Sequence, residues 1–229
     1  YSVLMSRAER IDIADEIYHI INRANGRQTI FHAKEDYQLF ELILAEAKDY
    51  FDMRILAYVI MPNHWHLILQ PKKDGDLSLF MHWLTLTHTR RHHIQKRTIG
   101  HGHIYQGRYK SFIVQKENYL LQLIRYVERN PVRAKLVRKG ESWQWSSLWR
   151  RINSTPQQKK LLNEPPIDFP KDYLEWVNER ESDESLVALR ISVNKGTPLG
   201  AGEWANSLAK QYNLSATLRA VGRPRKEEN

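Results

Sequence analysis

The spacing of apolar residues along the first 130 positions changes repeatedly between the period of a strand and the period of a helix. Four short apolar or β-branched runs predict strands, at 17–21, 54–60, 64–70 and 108–114. Three longer segments carry apolar residues at helical spacing and predict helices, at 34–51, 76–96 and 117–129. Met61-Pro62-Asn63 predicts a turn between two of the strands, and Pro131 ends the third helix.

The order of these elements is β-α-β-β-α-β with one further helix, which is the split βαβ arrangement of ferredoxin-like domains. We therefore predict an α+β fold for residues 1–150, closed by tryptophans at positions 143, 145 and 149. Residues 151–170, which contain four prolines, predict a linker. Residues 171–229 predict a small, mostly helical extension that ends in the basic sequence Gly222-Arg223-Pro224-Arg225-Lys226.

Composition limits both the chemistry and the compartment. The 229 residues include no cysteine, which excludes disulfides, zinc fingers and thiol catalysis and leaves His, carboxylate or amide groups to hold any metal. No apolar run reaches the roughly 20 residues of a membrane span, and the first residues lack the layout of a signal peptide. We expect a soluble, cytoplasmic protein.

The charge is strongly basic and unevenly distributed. A net charge of +9 and a pI near 9.6 favour a polyanionic partner. The segment from Leu77 to Lys116 has no Asp or Glu and seven Lys or Arg, a pattern of solvated faces and also of nucleic-acid surfaces. Four aromatic residues are interleaved with these charges, Trp83, Tyr105, Tyr109 and Phe112. They favour binding of single-stranded nucleic acid, which is held by cations on phosphates and aromatic rings on bases.

The most specific feature is the sequence Asn63-His64-Trp65-His66-Leu67 inside a predicted strand. Because side chains alternate across a strand, His64 and His66 share one face about 6–7 Å apart, while Trp65 points to the other. Two imidazoles placed in this way can converge on one metal ion. A His-x-His pair by itself also occurs as ordinary histidines on a half-exposed sheet, so the metal interpretation depends on a nucleophile and a third ligand nearby.

The helix over 117–129 offers candidates for both. Tyr119 and Tyr126 are seven residues apart and share a face, and Asn130 lies one turn beyond Tyr126. Either tyrosine also fits the apolar stripe that packs this helix on the sheet. Basic residues crowd the same segment, at Arg125, Arg129, Arg133 and Lys135. A phosphodiester under attack needs such charge near the nucleophile, so the combination favours catalysis and leaves the choice of tyrosine open.

Four segments stand out, in this order along the chain: Ile17-Tyr18-His19-Ile20-Ile21-Asn22-Arg23, Met61-Pro62-Asn63-His64-Trp65-His66, Gln106-Gly107-Arg108-Tyr109-Lys110-Ser111-Phe112 and Tyr126-Val127-Glu128-Arg129-Asn130-Pro131-Val132-Arg133. Together they resemble the single-tyrosine HUH transposases and, more closely, the REP-associated tyrosine transposases. The resemblance covers about residues 5–150, and the basic tail resembles the C-terminal extension of one group within this family.

The resemblance implies a role for each matching residue. It makes His64 and His66 metal ligands and Tyr126 the nucleophile, four residues before Asn130. Relatives often carry Gln one turn past the tyrosine as the third ligand, whereas this chain has Asn130 there, with Gln122 as its competitor. The family implies Mg²⁺ or Mn²⁺, which amide oxygen suits, and zinc is the third choice.

The resemblance also implies the substrate, which is single-stranded or hairpin DNA at REP-type palindromic repeats. Cleavage would leave a 5′-phosphotyrosine, and rejoining would reverse the same step; such a protein is expected at the bacterial nucleoid, as a monomer or a homodimer. The residues predicted to contact DNA are Arg90, Arg91, Arg108, Tyr109, Lys110, Arg125, Arg129, Arg133, Arg223, Arg225 and Lys226. The basic tail resembles an AT-hook core, which could bind in the minor groove of DNA. The same sequence is also typical of a basic terminus exposed to solvent.

Two other functions stay open on the sequence. A nucleic-acid-binding module on a ferredoxin-like sheet would need stacked aromatic residues in the RNP pattern, which the chain lacks. A metal phosphodiesterase that activates water would use the same two histidines without ever becoming covalently attached to DNA.

Overall fold

The computed structural model describes residues 11–218. Its strands are β1 (Ile17–Arg23), β2 (Arg54–Met61), β3 (His64–Gln70) and β4 (Lys110–Val114). Its helices are α1 (Lys34–Phe51), α2 (Asp76–Lys96), α3 (Asn118–Glu128), α4 (Asn130–Arg133), α5 (Ser147–Asn153), α6 (Pro156–Lys159), α7 (Tyr173–Asn178), α8 (Asp183–Lys195), α9 (Gly202–Gln211) and α10 (Ser215–Leu218). Within this range no helix is long and apolar enough to cross a membrane.

The four strands form one sheet in the order β2-β3-β1-β4, and every neighbouring pair is antiparallel. This arrangement confirms the predicted α+β fold, and the predicted strands and the first three helices agree with the structure within two residues. The pairing of β1 with β3 sets Ile21 opposite His66 and Arg23 opposite His64. Residues directly opposite in an antiparallel pair point to the same face, so Arg23 and both histidines face the same way.

One face of the sheet is covered by α1 and α2. Trp65, Leu67 and Leu69 of β3 point to this face and are fully buried. They pack with Phe40 of α1 and Phe80 of α2, which lie on the apolar stripes of their helices. The alternation of β3 therefore sends its large apolar side chains into this first core and leaves the histidines on the opposite face.

The opposite face is covered by α3 and by elements from the C-terminal part of the chain. Ile68 of β3 and Val59 of β2 pack here with Leu123 and Val127, which lie one turn apart on α3. Further buried residues of this second core come from α5, α7, α8 and the segment after α8: Leu148, Tyr173, Val177, Leu186, Leu189 and Leu199.

The predicted linker and extension share these cores with the rest of the chain. Leu161, inside the predicted linker at 151–170, is buried in the first core, and the Lys48 ammonium donates to its carbonyl at 3.1 Å. Leu199 lies beside the edge of β4, where its backbone amide donates to the Ile113 carbonyl at 2.9 Å. Residues on both sides of the predicted boundaries at 150 and 170 thus pack in the same cores. The division of the chain into a nuclease domain, a linker and a DNA-binding extension stays a prediction. The basic tail at 222–226 lies outside the described residues.

Candidate active site

The two histidines of β3 lie together under α3. Their ring centroids are 5.2 Å apart, with the planes at 74° to each other. His66 is buried within the strand, whereas His64 at the beginning of the strand is partly exposed. The predicted common face is therefore the one that α3 covers, and it reaches solvent at the His64 end.

A hydrogen bond occupies one ring nitrogen of each histidine. His64 Nδ1 lies 2.7 Å from Asn63 Oδ1, and His66 Nδ1 lies 2.8 Å from Nε2 of His19 in β1. The amide oxygen of Asn63 can only accept a hydrogen bond. His64 therefore carries its proton on Nδ1 and has a lone pair on Nε2. The contact with His19 involves Nδ1 of His66, so Nε2 of His66 is likewise the ring nitrogen outside the hydrogen bond.

Burial keeps both histidines uncharged at neutral pH. It lowers the pKa of His66 well below its usual value, and the nearby His19 and His64 lower it further. Burial, with a smaller effect of Arg23, lowers the pKa of His64 to about 4. Neutral imidazole is the form that ligates metals. Among residues 11–218 there is no cluster of three or more His, Asp or Glu that could hold an ion, so a third protein ligand would have to be of another type.

Tyr126 is the tyrosine that α3 brings to the histidines. Its ring meets His66 edge to face, with centroids 6.1 Å apart and planes at 82°, and the residue is 8% exposed. Tyr119 lies two turns earlier, about 10 Å along the helix axis, and packs at the margin of the second core. The two tyrosines therefore lie at different positions along the helix axis, although the sequence predicts a common helix face for them.

Arg133 contacts both the ring and the backbone of Tyr126. Its guanidinium carbon lies 3.9 Å from the centre of the Tyr126 ring, a cation–π geometry, and its Nη2 donates to the Tyr126 carbonyl at 2.7 Å. Its Nη1 donates to the Glu181 carboxylate at 2.7 Å. A planar guanidinium that uses its face and two of its donors in this way has one orientation, so Arg133 and His66 together restrict the position of the Tyr126 ring.

The other arginines of this segment also have partners within the protein. Arg129 lies 3.7 Å from the buried carboxylate of Glu181, and Arg125 donates to the Glu179 carbonyl at 3.0 Å. The three arginines predicted to contact DNA around Tyr126 thus meet the segment between α7 and α8. Sequence reasoning missed this segment, because nothing local marks a carboxylate more than 40 residues away as their partner.

The candidate third ligands differ in burial. Asn130 begins α4 immediately after α3, and its Nδ2 is buried without a hydrogen-bond partner. Its competitor Gln122 is exposed. An amide with a buried, unsatisfied nitrogen is unusual in a folded protein and marks a place where a further group is expected.

Glu128 is a second residue that the sequence did not single out. It is completely buried, accepts hydrogen bonds at 2.6 Å from Ser147 Oγ and from the Tyr173 hydroxyl, and pairs with Arg151. These partners lie on α5 and α7, so one carboxylate ties α3 to both helices. A charge so fully satisfied is a structural anchor for the helix that carries Tyr126.

Three of the interleaved aromatic residues contribute to the cores. Tyr105, Tyr109 and Phe112 are buried, Tyr109 at 7% exposure. Their rings pack largely in the cores and leave little surface for stacking on bases, and the DNA contact of Tyr109 stays a prediction. Of the basic residues on α2, Arg90 is exposed, whereas Arg91 pairs with Glu46 at 2.8 Å.

A basic cleft lies beside the His64 end of the site. It has a volume of about 430 Å³, and its polar lining includes Asn22, Arg23, Gln106, Arg108, Lys110 and Asn194. The backbone amide of Gln106 donates to the backbone carbonyl of Arg23 at 2.9 Å, which fixes the loop before β4 to the end of β1. Two residues predicted to contact DNA, Arg108 and Lys110, therefore meet Arg23, and Arg23 lies opposite His64 in the sheet. Among the other predicted contacts, Arg223, Arg225 and Lys226 lie outside residues 11–218.

Comparison with known proteins identifies the family. Residues 13–130, just over half of the chain, match the family described as IS200-like transposase. Among solved structures, the fold is similar to a REP-associated tyrosine transposase bound to a REP hairpin, at 20% identity and a TM-score of 0.54, over 78% of this chain and 100% of that chain. A putative transposase from Deinococcus radiodurans matches at 20% identity and a TM-score of 0.40, over 54% of this chain and 96% of that one. No curated protein matches the chain. The chain therefore belongs to the IS200-like transposase family.

Proposed function

We propose that the protein cleaves and rejoins single-stranded DNA at hairpin-forming, REP-type palindromes through a 5′-phosphotyrosine on Tyr126. The observation that carries this proposal is the contact between the Tyr126 ring and His66, next to His64. Membership of a transposase family supports action on DNA. The REP hairpin bound by a protein of similar fold supports the class of substrate.

The reaction exchanges one phosphodiester for another. The Tyr126 hydroxyl loses its proton and its oxygen attacks phosphorus, while the bond from phosphorus to the 3′ oxygen breaks and that oxygen takes up a proton. A free 3′-OH can later reverse the exchange, so rejoining needs no external energy source. A phenol is a weak nucleophile at neutral pH, so positive charge near the reacting atoms would assist the step. Arg133, whose guanidinium covers the Tyr126 ring, would supply such charge as negative charge develops on the phosphate.

The residues of the site fit a divalent ion. His64 and His66 are neutral, and their Nδ1 atoms are engaged, so Nε2 of each would be the ligand atom. Asn130 would add its amide oxygen, while its buried Nδ2, which has no hydrogen-bond partner, is a donor and would not bind the cation. Mg²⁺ or Mn²⁺ bound here would act as a Lewis acid on the non-bridging phosphate oxygens. Metal dependence is thus part of the proposal.

The basic cleft is the proposed path for the DNA strand. Arg23, Arg108 and Lys110 line it and place positive charge next to the His64 end of the site. Phosphates that flank the cleaved bond would lie along these cations, and such contacts position a strand without reading its sequence. We propose that Arg108 and Lys110, which are exposed, contribute more to affinity than the arginines around Tyr126, which are less exposed and paired with the segment between α7 and α8. Within residues 11–218 the ammonium of Lys110 donates only to the Asn194 carbonyl, at 3.2 Å.

A covalent-adduct assay tests the chemistry. A labelled hairpin oligonucleotide with single-stranded flanks is incubated with Mn²⁺ and protein, and the products are separated on a denaturing gel. The wild type and Tyr119→Phe are expected to give a protein-linked band, and Tyr126→Phe to give none, because phenylalanine removes only the attacking oxygen. Tyr119→Phe is the matched control, since it makes the same change on the same helix.

The outcomes separate the alternatives. Cleaved DNA without a protein-linked band would indicate a phosphodiesterase that activates water. Binding without cleavage by the wild type would indicate a nucleic-acid-binding module. A trapped adduct that maps to Tyr119, or full activity in Tyr126→Phe, would overturn the choice of nucleophile.

A further inference from the structure

His19 lies at the centre of β1, directly behind one of the proposed metal ligands. It is completely buried, and its Nε2 lies 2.8 Å from Nδ1 of His66. The two ring centroids are 5.0 Å apart, and Phe112 packs against the other side of the His19 ring at 4.8 Å. The contact follows from the register, because Ile21 is opposite His66 and His19 is the next residue of β1 on that face.

The hydrogen bond between the two imidazoles has two possible directions with opposite consequences. A neutral imidazole has one donor and one acceptor nitrogen. If His66 Nδ1 donates, its Nε2 has a free lone pair and can bind a metal. If His19 Nε2 donates, His66 carries its proton on Nε2 and cannot bind through that atom.

His64 has a partner of a different kind. Asn63 Oδ1 can only accept, so this contact leaves His64 with its proton on Nδ1. His19 can accept or donate at Nε2, and therefore its own proton decides the form of His66. His19 Nδ1 is buried with no hydrogen-bond partner, so acceptance at Nε2 places the His19 proton on an unsatisfied Nδ1, a cost that weighs against this direction and that a measurement of the tautomer tests directly.

We infer that His19 is a positioning residue that accepts a hydrogen bond from His66 Nδ1 and so presents the His66 Nε2 lone pair to the ion. This inference rests on the proposed metal-dependent function. Partners behind metal-binding histidines orient the ring and set its tautomer, and their loss costs about 10- to 100-fold in metal affinity. His19 would do this for His66 as Asn63 does for His64.

Two substitutions separate the hydrogen bond from simple packing. His19→Phe retains an aromatic ring next to Phe112 and removes the acceptor. His19→Gln retains an acceptor oxygen at about the same reach from the backbone. Mn²⁺ binding without DNA is measured for each by calorimetry or by electron paramagnetic resonance, and thermal unfolding checks the fold. We expect affinity to fall about 10- to 100-fold in His19→Phe and to stay near the wild type in His19→Gln.

The tautomer of His66 gives an independent test. Nitrogen-15 NMR of the imidazole rings in metal-free protein reports which nitrogen carries the proton. We expect His66 to be protonated on Nδ1 in the wild type and in His19→Gln, and to shift toward protonation on Nε2 in His19→Phe. This reading needs neither metal nor DNA, and the wild type alone already tests it.

Several results would overturn the inference. These are a His66 proton on Nε2 in the metal-free wild type, a Mn²⁺ affinity of His19→Phe equal to that of the wild type, and a wild type that binds no Mn²⁺. Failure of the proposed function looks different: the tautomer and the Mn²⁺ affinities behave as expected, but the wild type forms no covalent adduct with DNA.

Discussion

The carboxylate of Glu181 joins the C-terminal part of the chain to the helix that carries Tyr126, and Glu181→Gln tests this connection. The Glu181 side chain is 4% exposed, and its Oε2 lies 2.7 Å from Arg133 Nη1 and 3.7 Å from Arg129 Nη1. Both arginines are largely buried as well, with side-chain exposures of 16% and 12%. The substitution removes one negative charge from between two cations and retains the shape of the side chain.

The expected loss follows from this burial. Removal of one partner of a buried pair costs about 3–5 kcal/mol, because the other charge is left uncompensated. Glutamine retains an acceptor oxygen, and Arg133 and Arg129 have other acceptors in the carbonyls of Tyr126 and Asn178. We therefore expect a smaller loss of about 2 kcal/mol in the free energy of unfolding, or roughly 30-fold in the equilibrium constant.

Urea denaturation at pH 7 measures this loss, and Glu46→Gln provides a matched control. Glu46 pairs with Arg91 at 2.8 Å, but both side chains are more than a third exposed. The same chemical change in this exposed pair should cost about 0–1 kcal/mol. Equal losses in the two variants would refute the argument that burial makes the Glu181 contact strong.

The same substitution should also slow the chemistry. Arg133 covers the Tyr126 ring, and Glu181 is the carboxylate that fixes its guanidinium. Without that charge, Arg133 has more freedom, so the rate of adduct formation on saturating DNA should fall while hairpin affinity changes little. The rate is measured at a temperature where the variant is folded. An unchanged rate would show that Glu181 stabilises the fold without positioning Tyr126.

Three further predictions follow from the site, the buried histidines and the tail. His64→Ala and His66→Ala should each abolish adduct formation on gels and leave hairpin affinity largely intact, because phosphate contacts lie elsewhere; near-normal cleavage by both would exclude the metal site. Stability should fall on acidification from pH 6 to pH 5 by about 1 kcal/mol for each histidine whose pKa burial lowers strongly, since the unfolded chain binds protons below its pKa near 6.5 that the fold excludes. Among residues 11–218, burial lowers the pKa of five histidines, His19, His64, His66, His88 and His92, and the figure of about 1 kcal/mol applies to the first four. Urea titrations at the two pH values would show no difference if these residues were protonated in the fold. Deletion of 219–229 should reduce the slope of log affinity against log salt by about 0.7–0.9 for each lost phosphate contact, and an unchanged slope would show that the tail does not touch DNA.

The elements of the sheet and the placement of the histidines could be predicted because they depend on local patterns. The alternation within β3 sends Trp65 into the first core, and the same alternation puts His64 and His66 on the other face. The turn at Pro62-Asn63 and the helix end before Pro131 are equally local. Such features need only the chain geometry of a few consecutive residues.

The surroundings of Tyr126 could not be predicted in this way. Glu181 reaches Arg133 from 48 residues away, and Tyr173 reaches Glu128 from 45 residues away. Neither contact has a local signal, because both depend on how the segment after residue 170 packs on α3. His19 was within reach of sequence reasoning, since it lies two residues from Ile21 and shares its strand face, but only the register of β1 against β3 shows that it meets His66.

The arginines show why charge near a nucleophile does not by itself identify a DNA contact. The sequence predicts DNA contacts for Arg125, Arg129 and Arg133 because they crowd Tyr126, and in the structure each also has a partner between residues 176 and 181. A buried guanidinium that is paired in this way contributes its charge at short range and keeps Tyr126 oriented, whereas an exposed cation exchanges counterions for phosphates. The two effects enter different measured quantities, the rate of the covalent step and the salt-dependent affinity. We therefore predict that the arginines around Tyr126 affect mainly the rate, and that exposed cations such as Arg108 and Lys110 in the cleft affect mainly the affinity.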